Sequence, residues 1–168
     1  MKNKQELVAA MKAGMRHLAS GVAVVATRDQ SGVANGMTIT SLTSLTDLPA
    51  SLLVCLNKKS QTLCALQEVN FFSVNILAQS QQQISDKFAY GPEGEARFQY
   101  GQWVDHPIHG IPQLQQSSAC FLCCKDRVID YGNHDIVVGK IIEVNVPEQE
   151  SPLLVYCRGR YQMLSDLS

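Results

Sequence analysis

The spacing of apolar positions changes several times along the chain, and each change marks an element. Leu7, Met11, Met15 and Leu18 recur at helical spacing, with Lys4, Glu6, Lys12 and Arg16 elsewhere on the wheel, which predicts an amphipathic helix over residues 4–19. Residues 21–28 and 33–40 are rich in β-branched side chains and are joined by Asp29-Gln30-Ser31-Gly32, so they read as two strands of a hairpin. Asp47-Leu48-Pro49 marks a turn before a strand over 51–56, and Asn57-Lys58-Lys59-Ser60 leads into a short helix over 61–67. After a strand over 70–76, Ser80-Gln81-Gln82-Gln83 fits a capping box ahead of Ile84 and Phe88; that helix ends near Ala89, and Gly91-Pro92-Glu93-Gly94 stops it. Residues 100–116 are irregular, broken by Pro107, Gly110 and Pro112, and read as a long surface connection. Three strands over 117–129, 134–146 and 153–163 close the chain.

Many strands with short helices between them, and no regular strand–helix alternation, predict a mainly β fold with short helices: a barrel-like antiparallel core, not a doubly wound sheet. The 168 residues, 45% hydrophobic, suit one domain over 1–168. With 14 basic against 15 acidic residues the formal charge is -1, so no global field attracts nucleic acid or an anionic membrane, and any bound anion must be held locally. No apolar stretch follows Met1-Lys2-Asn3-Lys4 before Lys12, and the longest apolar runs, such as Val22 to Ala26, cannot span a bilayer; a soluble cytoplasmic protein is expected. The six cysteines then read as reduced core residues. On a strand Cys120 and Cys124 share a face about 13 Å apart, too far for a disulfide, and Cys123 faces the other way.

Neither Gly-x-Gly-x-x-Gly nor Gly-x-x-x-x-Gly-Lys-Ser/Thr occurs, so a bound nucleotide needs another device. One candidate is Asn57-Lys58-Lys59-Ser60-Gln61-Thr62, where a strand turns into a helix whose first amides lack partners and suit a phosphate. The same residues also read as a solvated lysine pair with Ser60 as helix cap. A second is Gly36-Met37-Thr38-Ile39-Thr40-Ser41-Leu42-Thr43-Ser44, whose amides and hydroxyls could meet a planar polar ring, or which is simply a threonine-rich strand. A third is Gly132-Asn133-His134-Asp135, a turn that sets a histidine at the mouth of the barrel, or leaves it solvated. No metal-ligand set or Ser/His/Asp constellation accompanies His134, and His17, His106 and His109 are scattered without an assigned role.

Together these segments resemble the flavin reductase family, whose fold is the FMN-binding split barrel. The likeness runs from Met15-Arg16-His17-Leu18-Ala19-Ser20-Gly21-Val22 through Gly36-Met37-Thr38, Ser41, Ser44 and Pro49, then Leu56-Asn57-Lys58-Lys59-Ser60-Gln61-Thr62 and Phe72-Ser73-Val74-Asn75-Ile76-Leu77. Phe88-Ala89, Arg97-Phe98, Gly110-Ile111-Pro112-Gln113-Leu114, Gly132-Asn133-His134, Gly139-Lys140-Ile141 and Pro152-Leu153-Leu154-Val155-Tyr156 follow in order, so about nine tenths of the chain is covered.

The resemblance implies an antiparallel, Greek-key-like split barrel that works as a homodimer. It also implies hydride transfer from NADH or NADPH to FMN or FAD, the reduced flavin going to a partner monooxygenase. By the same resemblance Thr38, Ile39, Thr40, Ser41, Cys55, Leu56, Asn57, Lys58, Lys59, Ser60 and Thr62 line the flavin, Ala89 lies near it, and Gly159 and Tyr161 close its pocket. Ser44 and His134 face the nicotinamide. Two departures stand out: Asn133 occupies a position where an aspartate is common, and Arg158-Gly159-Arg160 is more basic than in many relatives, which suits a diphosphate. Two rival readings share these features: a split-barrel flavoprotein acting on another small molecule such as a corrinoid, and a non-catalytic flavin-binding or structural dimer.

Overall fold

The structure, a computed structural model, describes residues 3–92, 94–162 and 164. Helix α1 spans Lys4–Met15 and is started by a reciprocal cap: Asn3 Oδ1 accepts from Glu6 N at 2.9 Å, and Glu6 Oε2 accepts from Asn3 N at 3.0 Å. It stops at Met15, earlier than residue 19, because the chain then enters β1 (Ser20–Gly21). Strands β2 (Ala23–Arg28), β3 (Ala34–Ile39), β4 (Leu42–Asp47) and β5 (Ala50–Asn57) follow, then α2 (Gln61–Glu68), β6 (Phe71–Ile76) and α3 (Gln82–Tyr90). Ser80 lies inside a 3-10 turn instead of capping α3; there it is Gln81 Oε1 that accepts from Ala78 N at 3.0 Å.

After α3 come β7 (Trp103–Asp105), β8 (Pro112–Leu114), β9 (Ala119–Tyr131), β10 (His134–Asn145), β11 (Val155–Cys157) and β12 (Arg160–Gln162). The connection over 100–116 is therefore more than surface loop. It contains the β7–β8 hairpin and buries His106, Ile111 and Leu114, because Asn75 Oδ1 accepts from Leu114 N at 2.8 Å and Ser73 Oγ donates to Pro112 O at 2.5 Å. The last expected strand is a hairpin instead, since Arg158 and Gly159 both adopt positive φ and turn the chain back. Glu93 of the expected turn and Met163 of the expected last strand lie outside the described residues.

Seven strands form one antiparallel sheet in the order β3-β2-β6-β9-β10-β5-β4. Laid flat, its edges would stand about 29 Å apart, at roughly 4.8 Å per neighbouring pair. Yet only Thr40 and Ser41 separate the end of β3 from the start of β4, a reach of about 11 Å. The sheet must roll until its two edges face each other, and the seam falls at Thr40-Ser41. Strand β4 escaped the sequence reading because residues 43–47 are all exposed and so lack a buried alternate face.

Strand β2 is buried on both sides, and its period of two divides the interior. Ala23 and Val25 join Leu52, Val54, Leu56, Leu63, Leu66 and Phe72 inside the roll, whereas Val22 and Val24 join Leu77, Ile84, Phe88 and Leu154 outside it, beneath α3. The rings of Phe88, Phe98 and Trp103, with centroids 4.9 to 5.2 Å apart, fasten α3 to the outer face. All six cysteines are free, but they do not share one environment: burial pushes the Cys120 and Cys123 thiols up to about 12, whereas Cys64 is exposed on α2, contrary to the expectation that every cysteine sits in the core.

Two outcomes follow from this packing. A Cβ at Gly139 would lie 2.5 Å from Phe72 Cζ and 3.0 Å from Cys123 Cβ, so Gly139→Ala is expected to lower unfolding stability by about 1–3 kcal/mol in urea titration; a variant of wild-type stability would contradict this close approach. A thiol reagent applied to folded protein at pH 8 should label Cys64 long before Cys120 or Cys123, as read by peptide mapping.

Candidate active site

A cavity of about 650 Å³ opens beside the seam. Its floor is the end of β3, Thr38 to Thr40; one wall is α3, through Gln82, Ser85, Asp86 and Ala89, and the other is the β11–β12 hairpin, through Tyr156, Gly159, Arg160 and Tyr161. A second hollow of about 400 Å³ shares Thr38, Ala89 and Tyr90 with the first and runs to the start of α2, where Lys59, Ser60, Gln61 and Thr62 line it. The two adjoining hollows, here called the trough, run to a helix N-terminus, where the helix dipole favours an anion.

The walls are held by polar contacts. Thr38 Oγ1 donates to Ser85 O at 2.7 Å and ties β3 to α3. Tyr161 donates to Asp86 Oδ1 at 3.0 Å, and because a carboxylate only accepts, the 2.8 Å contact between Ser85 Oγ and Tyr161 has Ser85 as donor. Burial raises the phenol pKa of Tyr161 above its ordinary value, which keeps that donor protonated. Arg97 Nη1 donates to Gly36 O at 2.9 Å and Phe88 O at 3.2 Å, joining strand and helix where a Cβ on Gly36 would meet the Phe88 ring at 2.7 Å. At the α2 end, Ser60 Oγ accepts from Leu63 N at 3.2 Å and donates to Asn57 O at 2.8 Å, while Asn57 Oδ1 accepts from Lys59 N at 2.9 Å.

The sequence candidates divide into groups. Thr38, Ile39, Thr40, Ala89, Gly159 and Tyr161 meet in the first cavity, and Lys59, Ser60 and Thr62 in the second. Ser41 sits at the seam, its hydroxyl donating to Cys55 O at 2.9 Å and accepting from Cys55 N at 3.2 Å. Leu56 is wholly buried in the core, so its side chain faces away from the trough.

Lys58 and Lys59 part company. Lys58 pairs with Asp130 and lies 3.6 Å from Asp135 Oδ1, so it fastens β5 to the β9–β10 turn; the hydrogen bond to Asp130 raises its pKa above the usual lysine value.

His134 pairs in register with Asn57, and its Nδ1 lies 2.8 Å from Asn133 Oδ1. An amide oxygen only accepts, so Nδ1 carries the hydrogen in this contact, and among the described residues Nε2 is left without a protein partner. Ser44 is exposed on β4 opposite Leu52, five residues along β5 from Asn57, so within one chain it lies about 16 Å along the sheet from His134.

Gln82, Ser85, Asp86, Tyr156 and Arg97 line the trough without having been singled out as site residues, and Arg160, noted for its basic surroundings, lines it as well. A signal for the α3 group existed: Gln82, Ser85, Asp86 and Ala89 repeat at helical spacing beside the Ile84 and Phe88 stripe. Among the described residues no group of three or more His, Cys, Asp or Glu is placed to hold a metal ion, and no helix is long and apolar enough to cross a membrane.

Comparison with known proteins places the chain in a family. A flavin reductase (NADPH) from Lentzea aerocolonigenes is 38% identical over 138 residues, covering 80% of this chain and 78% of its own. The reductase component of an FADH(2)-dependent resorcinol hydroxylase from Rhizobium sp. (strain MTP-10005) is 36% identical over 143 residues, covering 83% and 78%. Among solved structures, a homologue of nitrilotriacetate monooxygenase component B from Mycobacterium thermoresistibile superposes with a TM-score of 0.87 at 27% identity, over 96% of this chain and 89% of that one. The model of the flavin reductase like domain matches residues 15–165, and the chain belongs to that family.

Proposed function

We propose that this chain is an NAD(P)H-dependent flavin reductase that supplies reduced flavin to a monooxygenase, with the seam trough as its active site. The observation that carries this reading is that two neighbouring hollows share Thr38, Ala89 and Tyr90, one walled by α3 and the C-terminal hairpin, the other ending on Lys59 and the α2 N-terminus. Such a trough fits a flat polar ring joined through a flexible chain to a phosphate. When bound, the nicotinamide supplies a hydride and the flavin ring accepts it.

The chain's own work is positioning. Ser60 orients the first turn of α2 and Lys59 adds a positive charge, so the flavin phosphate is held there. The main chain at Thr38 to Ser41, fixed by the Thr38–Ser85 and Ser41–Cys55 hydrogen bonds, presents amides to the ring and stabilises negative charge as it grows. His134 orients the nicotinamide nucleotide through Nε2. The relatives named for NADPH and for an FADH(2)-dependent hydroxylase support a nicotinamide donor and a monooxygenase partner; the flavin is FMN or FAD and the donor NADH or NADPH.

The working unit is a homodimer of split barrels. No residue of α1 is buried, and Leu7, Met11 and Met15 are all more than half exposed. Val128, Ile129, Val144 and Val146, on the outer reaches of β9 and β10 and just beyond, are exposed as well, more apolar surface than a solvated monomer leaves open. A second copy covers these faces and brings the separated nicotinamide candidates, Ser44 and His134, to a shared site.

Anaerobic mixing of the protein with each pairing of NADH or NADPH with FMN or FAD should bleach the flavin absorbance in at least one pairing; flavin binding without bleaching would overturn the reading. Lys59→Ala should raise the flavin Kd by about 5–10-fold and flatten its salt dependence. Lys58→Ala should lower Tm yet leave that Kd within twofold. His134→Ala should raise the KM for the nicotinamide several-fold with flavin affinity nearly intact, and equal loss of both would remove it from the nicotinamide side.

A further inference from the structure

Arg158 and Gly159 are the two central residues of the β11–β12 turn, with φ of 54° and 77°, and Cys157 pairs with Arg160 around them. A two-residue hairpin turn of this kind favours Asn-Gly, and an arginine in its first left-handed position is uncommon. The turn is anchored where it stands: Arg158 N donates to Arg16 O at 2.6 Å, and a Cβ on Gly159 would lie 3.9 Å from Arg16 Nε. Arg160, the next residue, lines the 650 Å³ cavity. The Arg16 side chain thus lies against the turn formed by Arg158 and Gly159, one residue before the Arg160 that lines the cavity.

Arg16, Arg158 and Arg160 differ from the other three arginines of the chain. Arg28 holds Asp105 at 2.9 Å, Arg97 donates to Gly36 O and Phe88 O, and Arg127 lies 3.6 Å from Asp126. Among the described residues, the guanidiniums of Arg16, Arg158 and Arg160 have no carboxylate or hydrogen-bond partner. Asp86, the carboxylate that lines this cavity, is occupied by the Tyr161 hydroxyl. Guanidiniums without a protein counter-charge are left open to an external anion, and their planar forks match phosphate oxygens.

We propose that Arg16, Arg158 and Arg160 form a second phosphate site, at the end of the trough away from Lys59, that receives phosphate groups of a bound dinucleotide. The inference rests on the flavin reductase reading and deepens it. The flavin places its phosphate at the α2 end, whereas a nicotinamide dinucleotide brings phosphates of its own to the opposite rim. These are its diphosphate or the 2′-phosphate of NADPH.

The test uses Arg16→Gln, Arg160→Gln and Arg158→Asn, the last chosen because asparagine tolerates the left-handed turn. Arg127→Gln is the control of equal charge change. Steady-state kinetics with NADH, NADPH, FMN and FAD, and calorimetric titration with NAD+, NADP+ and FAD, are compared at low and high salt. Each rim variant should raise the KM and Kd of at least one nicotinamide dinucleotide by about 5–10-fold relative to Arg127→Gln, with kcat within twofold and a shallower salt dependence. An effect on NADPH alone assigns the 2′-phosphate, an effect on both nicotinamides assigns their diphosphate, and an effect confined to FAD overturns the inference. Rim variants that match the control for every dinucleotide, or that weaken FMN as much, overturn the inference. Should the wild-type protein reduce no flavin while the titrations still lose affinity at the rim, the functional reading fails and the phosphate site stands.

Discussion

Everything about this molecule depends on a short connection. Two residues, Thr40 and Ser41, lead from one edge of a seven-stranded sheet to the other, and no flat sheet can accommodate that link. The sheet rolls, and its two edges meet without a ladder between them. Ser41, on that link, extends the β4–β5 pairing with its side chain, exchanging both hydrogen bonds with the main chain of Cys55. The trough opens beside this seam, where the edge strands β3 and β4 are not zipped by strand pairing.

Closure has consequences for packing. Rolling brings β10 so near β6 that Gly139 passes against the ring of Phe72, and a break in the β9–β10 register falls beside it, between Val138 and Gly139. Helix α2 then stops the interior with Leu63 and Leu66, which places its first turn at the end of the trough. The outer face of β2 is left to α3 and the C-terminal hairpin, and these become the trough's walls.

Many of the hydroxyl and amide groups in the site are occupied by the protein itself. Thr38 holds α3, Ser60 caps α2, Asn57 fixes the turn before it, and Tyr161 locks onto Asp86. What remains for a ligand is chiefly main-chain amides, a helix end and the free cations at either extremity. A site made this way orients a ligand with little rearrangement, which suits hydride transfer, where geometry matters more than acid or base strength.

The chain's local patterns were enough to establish a mainly β protein with short helices, because periods of two and of 3.6 are written in consecutive residues. The same local signals located the β3 end and the Asn57-to-Thr62 turn. Other features were invisible for physical reasons. Strand β4 is an exposed edge and shows no alternation; the final hairpin hinges on an arginine in an unusual conformation; the β7–β8 hairpin is ordered by Asn75 and Ser73, some forty residues away. Lysines 58 and 59 read alike in one dimension, and only the fold sends one to Asp130 and the other to the trough. Periodicity is a property of neighbours in sequence, whereas pairing across a closed sheet joins groups whose meeting depends on the whole chain having rolled.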